Sequence, residues 1–214
     1  MVYVKWVFIL LFWGIVGAFL HYTLPQHDIV RVTDTYEKRV DPGENRWFWA
    51  QADIGTDGTM ANRDVFFIQT RRAGDDVMVY RNEDTGWGWP PYFKFDTSNL
   101  QAEAADLRST AAAPQWAVLT HYGWRNEFFT IFPNAVGIRP VASPDVRIIP
   151  WVNIIILTLL AAVFWAIWAR WRRFRRNRVN PVLADMNQGL EAAGDRFAER
   201  RGRFGRWIDS WKSK

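Results

Sequence analysis

Two stretches free of Asp, Glu, Lys and Arg constrain this chain more than any other feature. They run from Trp6 to Leu24 and from Ile148 to Ala169. At about 1.5 Å rise per residue, helices of these lengths cover roughly 28 and 33 Å, enough to cross hydrocarbon about 30 Å thick. The pattern predicts an α+β membrane protein. Two transmembrane helices flank a mainly antiparallel-β extracytoplasmic domain, a small barrel or sandwich with one helix, and a cytoplasmic amphipathic helix follows. The divisions fall at residues 1–24, 25–147, 148–169 and 170–214.

Charge is partitioned the same way. Residues 25–147 carry 13 Lys+Arg against 17 Asp+Glu, whereas residues 170–214 carry 13 against 5. Arg170, Arg172, Arg173, Arg175, Arg176 and Arg178 directly follow the second stretch. Such an arginine cluster marks a cytoplasmic end. Two spans then place both termini in the cytoplasm, with residues 25–147 on the far side of the membrane. Trp6, Trp165, Trp168 and Trp171 suit the inner interface, and Tyr22 and Trp151 the outer one. A cleaved export signal competes for the first stretch. Small residues are missing ahead of a cut after Leu20, so an uncleaved signal anchor is the preferred reading.

The intervening segment reads as strands. Alternation from Ile29 runs on to Val40. Arg63–Arg71 and Val77–Arg81 flank Ala73-Gly74-Asp75-Asp76 as a hairpin. Trp116–Tyr122, Phe128–Phe132 and Val136–Val141 read as further strands. Turns are expected at Asp41-Pro42-Gly43 and Gly55-Thr56-Asp57-Gly58. One helix is expected from Ser98 to about Ser109, capped by Thr97 or Ser98. In the tail, Asn180-Pro181 is expected to start a helix whose Phe197, Phe204, Trp207 and Trp211 lie on one face. With Arg170, Arg172, Arg173, Arg175 and Arg176, that face is expected to lie on anionic lipids of the inner leaflet. Pro150 is expected in the first turn of the second span, and Asn153 is expected to hydrogen-bond the first helix or a partner.

Two stretches, Tyr80–Leu100 and His121–Val136, carry unusual residues. Asn82 and Asp84 are followed by Lys94-Phe95-Asp96, then Ser98-Asn99-Leu100-Gln101. Tyr122-Gly123-Trp124-Arg125 and Pro133-Asn134 come later. As a set these resemble an uncharacterised family of bacterial membrane-anchored proteins, and the layout is similar to its alphaproteobacterial two-span members. The resemblance implies location and fold type and brings no activity with it.

The candidate ligand-binding set is Asn82, Asp84, Trp87, Trp89, Lys94, Trp124, Arg125 and Asn134. Lys94 and Arg125 could face an anion, with the tryptophans stacking on a ring or sugar. The competing reading is a hydrogen-bond network that pins turns.

Catalytic signatures are missing. The chain contains no cysteine, which excludes disulfides, thiolate metal sites and a Cys nucleophile. His21 and His27 lack helical metal-ligand spacing, His121 reads as a half-buried strand residue, and no serine lies in GxSxG. No cofactor, metal or nucleic acid is expected, and the chain reads as non-enzymatic. The expected role is an accessory or assembly subunit bound to another membrane protein or complex, or else an extracytoplasmic sensor.

Overall fold

The computed structural model describes residues 2–40, 63–191 and 202. The turns expected at Asp41-Pro42-Gly43 and Gly55–Gly58, and the tail aromatics Phe197, Phe204, Trp207 and Trp211, lie outside them. The described chain divides into two compact units, residues 1–154 and 155–214.

In the first unit, helix α1 (Val2–Thr23) is apolar around its whole circumference. Such a helix has no polar face to give to water. Strand β1 (Gln26–Val40) begins only two residues after α1 ends. Strands β2 (Arg63–Arg72), β3 (Val77–Asn82), β4 (Trp116–Tyr122) and β5 (Asn134–Val141) complete a closed barrel in the order β1-β2-β3-β5-β4. Helix α2 (Thr97–Asp106) lies between β3 and β4 in the chain. This is a five-stranded Greek-key barrel on the plan of an OB-fold.

Closure depends on the length of β1. Gln26–Arg31 pairs with β4, and Val30–Val40 pairs with β2. The register shifts between Val32 and Asp34, and a bulge of this kind bends a strand and raises its twist. One long strand can therefore serve two neighbours. The barrel closes through a parallel contact, with Arg81 opposite Asn134 and Arg81 N–H donating to Pro133 O at 3.0 Å.

Inward-facing residues fill the interior: Val30 and Val32 of β1, Ile68 of β2, Met78 and Tyr80 of β3, Leu119 of β4 and Ala135 of β5. Leu100 and Ala104 of α2 join them. They lie four residues apart, so both project from the same helical face.

Several sequence expectations are corrected. The cap of α2 is Asp96, whose Oδ1 accepts from the N–H groups of Ser98 and Asn99 at 3.0 and 3.1 Å; Thr97 and Ser98 lie inside the helix. The helix also ends earlier, at Asp106. Phe128–Phe132 is not a strand. It belongs to a tight loop closed by Asn126 and Ile131, which exchange hydrogen bonds of 3.1 and 2.8 Å. Its apolar, aromatic-rich run mimics a strand, yet Phe128 and Phe129 are exposed.

Helix α3 (Trp151–Phe174) begins one residue after Pro150, whose carbonyl accepts from Ile154 N–H at 3.1 Å. Pro150 thus precedes the first turn. Asn180-Pro181 does not start a new helix either. A π-helical turn over Arg175–Val179 passes Asn180 N–H to Arg175 O, and helix continues to Glu191. A proline ring clashes with the carbonyl four residues back and lacks an N–H. A widened turn just before Pro181 absorbs that conflict without breaking the helix.

Candidate functional site

The loop from Glu83 to Asp96 is held to the barrel by amide side chains. The carboxamide of Asn134 bonds both ways with Glu83: its Oδ1 accepts from Glu83 N–H at 2.9 Å and its Nδ2 donates to Glu83 O at 3.0 Å. Tyr122 Oη lies 3.1 Å from the same Nδ2. Asn82 Nδ2 donates to Thr97 O at 2.9 Å and to Gln101 Oε1 at 3.0 Å. Lys94 Nζ donates to Asn82 Oδ1 and, at 2.9 Å, to Ala135 O. The structure therefore brings Asn82, Lys94 and Asn134 together as a clasp between β3, β5 and the start of α2.

Burial dominates the electrostatics there. It pulls the Lys94 ammonium down to about 8, although Asp84 and Glu83 favour its charge. Asp84 lies at the exposed edge of the clasp. Partial burial raises its carboxyl, and the Lys94 charge opposes that rise. Beneath the clasp, Arg81 and Glu83 form a buried ion pair at 3.1 Å.

Arg125 has different partners. Its NH1 donates to Asn126 O at 3.2 Å and Ile131 O at 3.0 Å, and the guanidinium lies 4.4 Å over the Phe132 ring. It braces the loop that the sequence suggested was a strand. In both Lys94 and Arg125, the polar atoms engage the protein's own carbonyls.

Two of the three tryptophans pack on the end of α1. Trp89 stacks on Phe19, with centroids 5.7 Å apart. Trp124 Nε1 donates to His21 Nδ1 at 2.9 Å and its ring packs edge-on to Tyr22. Trp87 packs against Phe93 and Phe95. Backbone and hydroxyl groups strengthen this junction. Gly123 N–H donates to Tyr22 O at 2.9 Å, Tyr92 Oη to Thr23 O at 2.7 Å and Gln26 Nε2 to His21 O at 2.8 Å. These carbonyls end a helix and would otherwise lack partners. Gly123 has φ +90°, and a Cβ there would meet the Tyr22 ring at 3.6 Å. Asn153 Nδ2 donates to Pro25 O at 2.9 Å. Its partner is thus one residue of the link between α1 and β1, not α1 itself.

A second polar cluster was not foreseen. Asp28 Oδ2 accepts from Arg72 at 2.8 Å and from the Tyr80 hydroxyl, and lies 3.1 Å from His121 Nε2. Burial alone would raise the Asp28 carboxyl. The bonds from His121 and Tyr80, the His121 charge and the Arg72 guanidinium outweigh burial and hold it far below the carboxylate range. Burial, reinforced by the Asp28 charge, pushes the Tyr80 phenol well above its usual value, so it remains a donor. His121 is buried, not half-buried as expected. These four residues come from four strands, and no local motif announces them. Among the described residues, no group of three His, Cys, Asp or Glu side chains is placed to hold a metal ion.

Residues 1–175 match a protein family described as "Protein of unknown function (DUF1523)". The chain belongs to that family. The matched region spans α1, the barrel and α3, and ends at Arg175, near the start of the basic tail. The chain is also similar to an "Uncharacterized protein" of Haemophilus influenzae, 37% identical over 166 residues, which covers 77% of this chain and 90% of the relative. No solved structure matches. The DUF1523 chain has two helices long and apolar enough to cross a membrane, Tyr3–Thr23 and Trp151–Glu191.

Proposed function

We propose that this DUF1523 protein is a non-enzymatic accessory or assembly subunit of the bacterial inner membrane. Both apolar helices cross the bilayer, residues 25–147 form the periplasmic body and both termini are cytoplasmic. The observation that carries this reading is the rigid join between anchor and barrel. Only Leu24 and Pro25 separate α1 from β1, and the Tyr22 and Thr23 carbonyls are bonded to barrel residues. A barrel held this way keeps one orientation to the membrane, as a docking platform requires; a free-ranging binding module needs a linker. The internal pairing of Asn82, Lys94, Asn134 and Arg125 favours the platform over a ligand sensor, because the groups best suited to an anion are already engaged.

The arginines from Arg170 to Arg178 follow the apolar part of the second span and support the cytoplasmic assignment. They are also suited to anionic lipid headgroups, an attraction of about 1 kcal/mol per basic side chain near the surface.

Two measurements test the proposal. A reporter fused after Lys214 is expected to give a cytoplasmic signal, and one inserted near Gly58 a periplasmic signal. Extraction in mild detergent is expected to release the protein in a stoichiometric complex of fixed size. An isolated monomer in that experiment, or inverted reporters, would reject the reading.

A further inference from the structure

The loop from Gly86 to Phe95 exposes a concentration of large aromatics. Trp87 is 84% exposed and Trp89 is 67% exposed, with Phe93 and Phe95 exposed beside them. Phe93 is held at φ +51°, a left-handed conformation that is strained for a bulky residue. A soluble domain gains nothing by holding strained aromatics in water, and exposed apolar patches of this kind mark interaction surfaces.

The join to α1 fixes where this surface lies. Trp89 stacks on Phe19, four residues before the end of α1 at Thr23. At 1.5 Å per residue, the loop therefore descends about 6 Å below the helix terminus. Trp124 grips His21, about 200° around the helix from Phe19. The helix end is thus held from two sides. Any layer that receives Phe19 must also receive Trp89.

We infer that the Gly86–Phe95 loop, with Trp124, is embedded in the headgroup–acyl boundary of the outer leaflet, so that the bilayer itself is the occupant of the aromatic surface. Indole and phenyl rings favour that boundary because it is apolar on one side and wet on the other. The inference rests on the reading that α1 spans the membrane. It adds that the barrel is seated in the lipid rather than held clear of it.

The lack of native cysteine makes the test direct. Single cysteines at Trp87, Phe95, Leu11 and Lys38 are spin-labelled in the full-length protein in phosphatidylethanolamine–phosphatidylglycerol vesicles. Collision with oxygen and with a water-soluble nickel chelate is then measured. We expect Leu11 to be oxygen-accessible and chelate-shielded, Lys38 the reverse, and Trp87 and Phe95 intermediate, with a several-fold higher oxygen-to-nickel ratio than Lys38. If Leu11 is deep but Trp87 and Phe95 match Lys38, the seating is wrong and the anchor stands. If both loop labels are shielded from both collision partners, protein rather than lipid covers the loop, and the inference fails. If Leu11 itself matches Lys38, the anchor reading fails and takes this inference with it.

Discussion

Tyr92 Oη donates to the carbonyl of Thr23 at 2.7 Å, so a residue of the aromatic loop closes the last turn of α1. Its ring lies parallel to that of Tyr122, with centroids 4.8 Å apart. Helix end, loop and β4 are thus linked through one side chain.

Tyr92→Phe removes the hydroxyl and leaves the stack. We expect a loss of about 1 kcal/mol, the net value of an ordinary hydrogen bond. Faster amide exchange just after Thr23 should accompany it, with little change in the strands. Hydrogen exchange by mass spectrometry in detergent measures both.

Gly123→Ala should cost more. Its φ of +90° is unfavourable for any L side chain, although the new methyl would make only ordinary contact with the Tyr22 ring. A loss of roughly 1–2 kcal/mol is expected, read as a lower denaturation midpoint. A variant as stable as the parent would show that the junction is soft.

Lys94 makes stability depend on pH. Burial lowers its folded-state value to about 8 from an ordinary 10.5. Between these values the unfolded chain binds more protons, so stability should rise as pH increases from about 8 to 10.5. Lys94→Met should abolish that rise. It also leaves Asn82 Oδ1 and Ala135 O without their donor, at a cost of about 1–3 kcal/mol near pH 7. Urea titrations at pH 7 and pH 10 separate the two effects.

Asp28 acts in the opposite pH range. Its carboxyl is depressed in the folded state, so its contribution is present above an ordinary carboxylate pKa and is lost as pH falls through the folded value. Asp28→Asn should flatten the acid limb of the stability profile below about pH 4. At neutral pH it should cost about 2 kcal/mol, because Arg72 and His121 lose an ionised partner. An unchanged acid limb would show that the cluster does not govern acid unfolding.

How much of this was legible in the sequence depended on the range of the interaction. The β2–β3 hairpin was announced by its turn residues, and β4 by a short apolar and aromatic run of seven residues; both are local signals. The long apolar helix α1 was legible because its apolar run is nearly unbroken over some twenty residues. The barrel's closure at Arg81 and Asn134 was not legible, since pairing across 53 residues leaves no local trace. The same holds for Asp28 and His121, 93 residues apart. Phe128–Phe132 misled because an aromatic-rich apolar run records residue type, while the local path of the chain is set by Arg125 holding Ile131 O. Asp96 and Ser98 were both chemically able to cap α2, and only the backbone chose between them.

The double pairing of β1 also orders assembly in time. It is the first strand to be synthesised, yet one edge finds β2 and the other must wait for residues 116–122. The β4–β5 pair extends to Val141, ten residues before α3 begins. On the topology proposed above, an export channel that still holds the nascent chain would enclose that last strand until the second apolar helix had entered it. On that topology barrel closure and lateral release of the second span would be nearly simultaneous events, and a chain stalled before Trp151 would leave β1 with an open edge on the far side of the membrane.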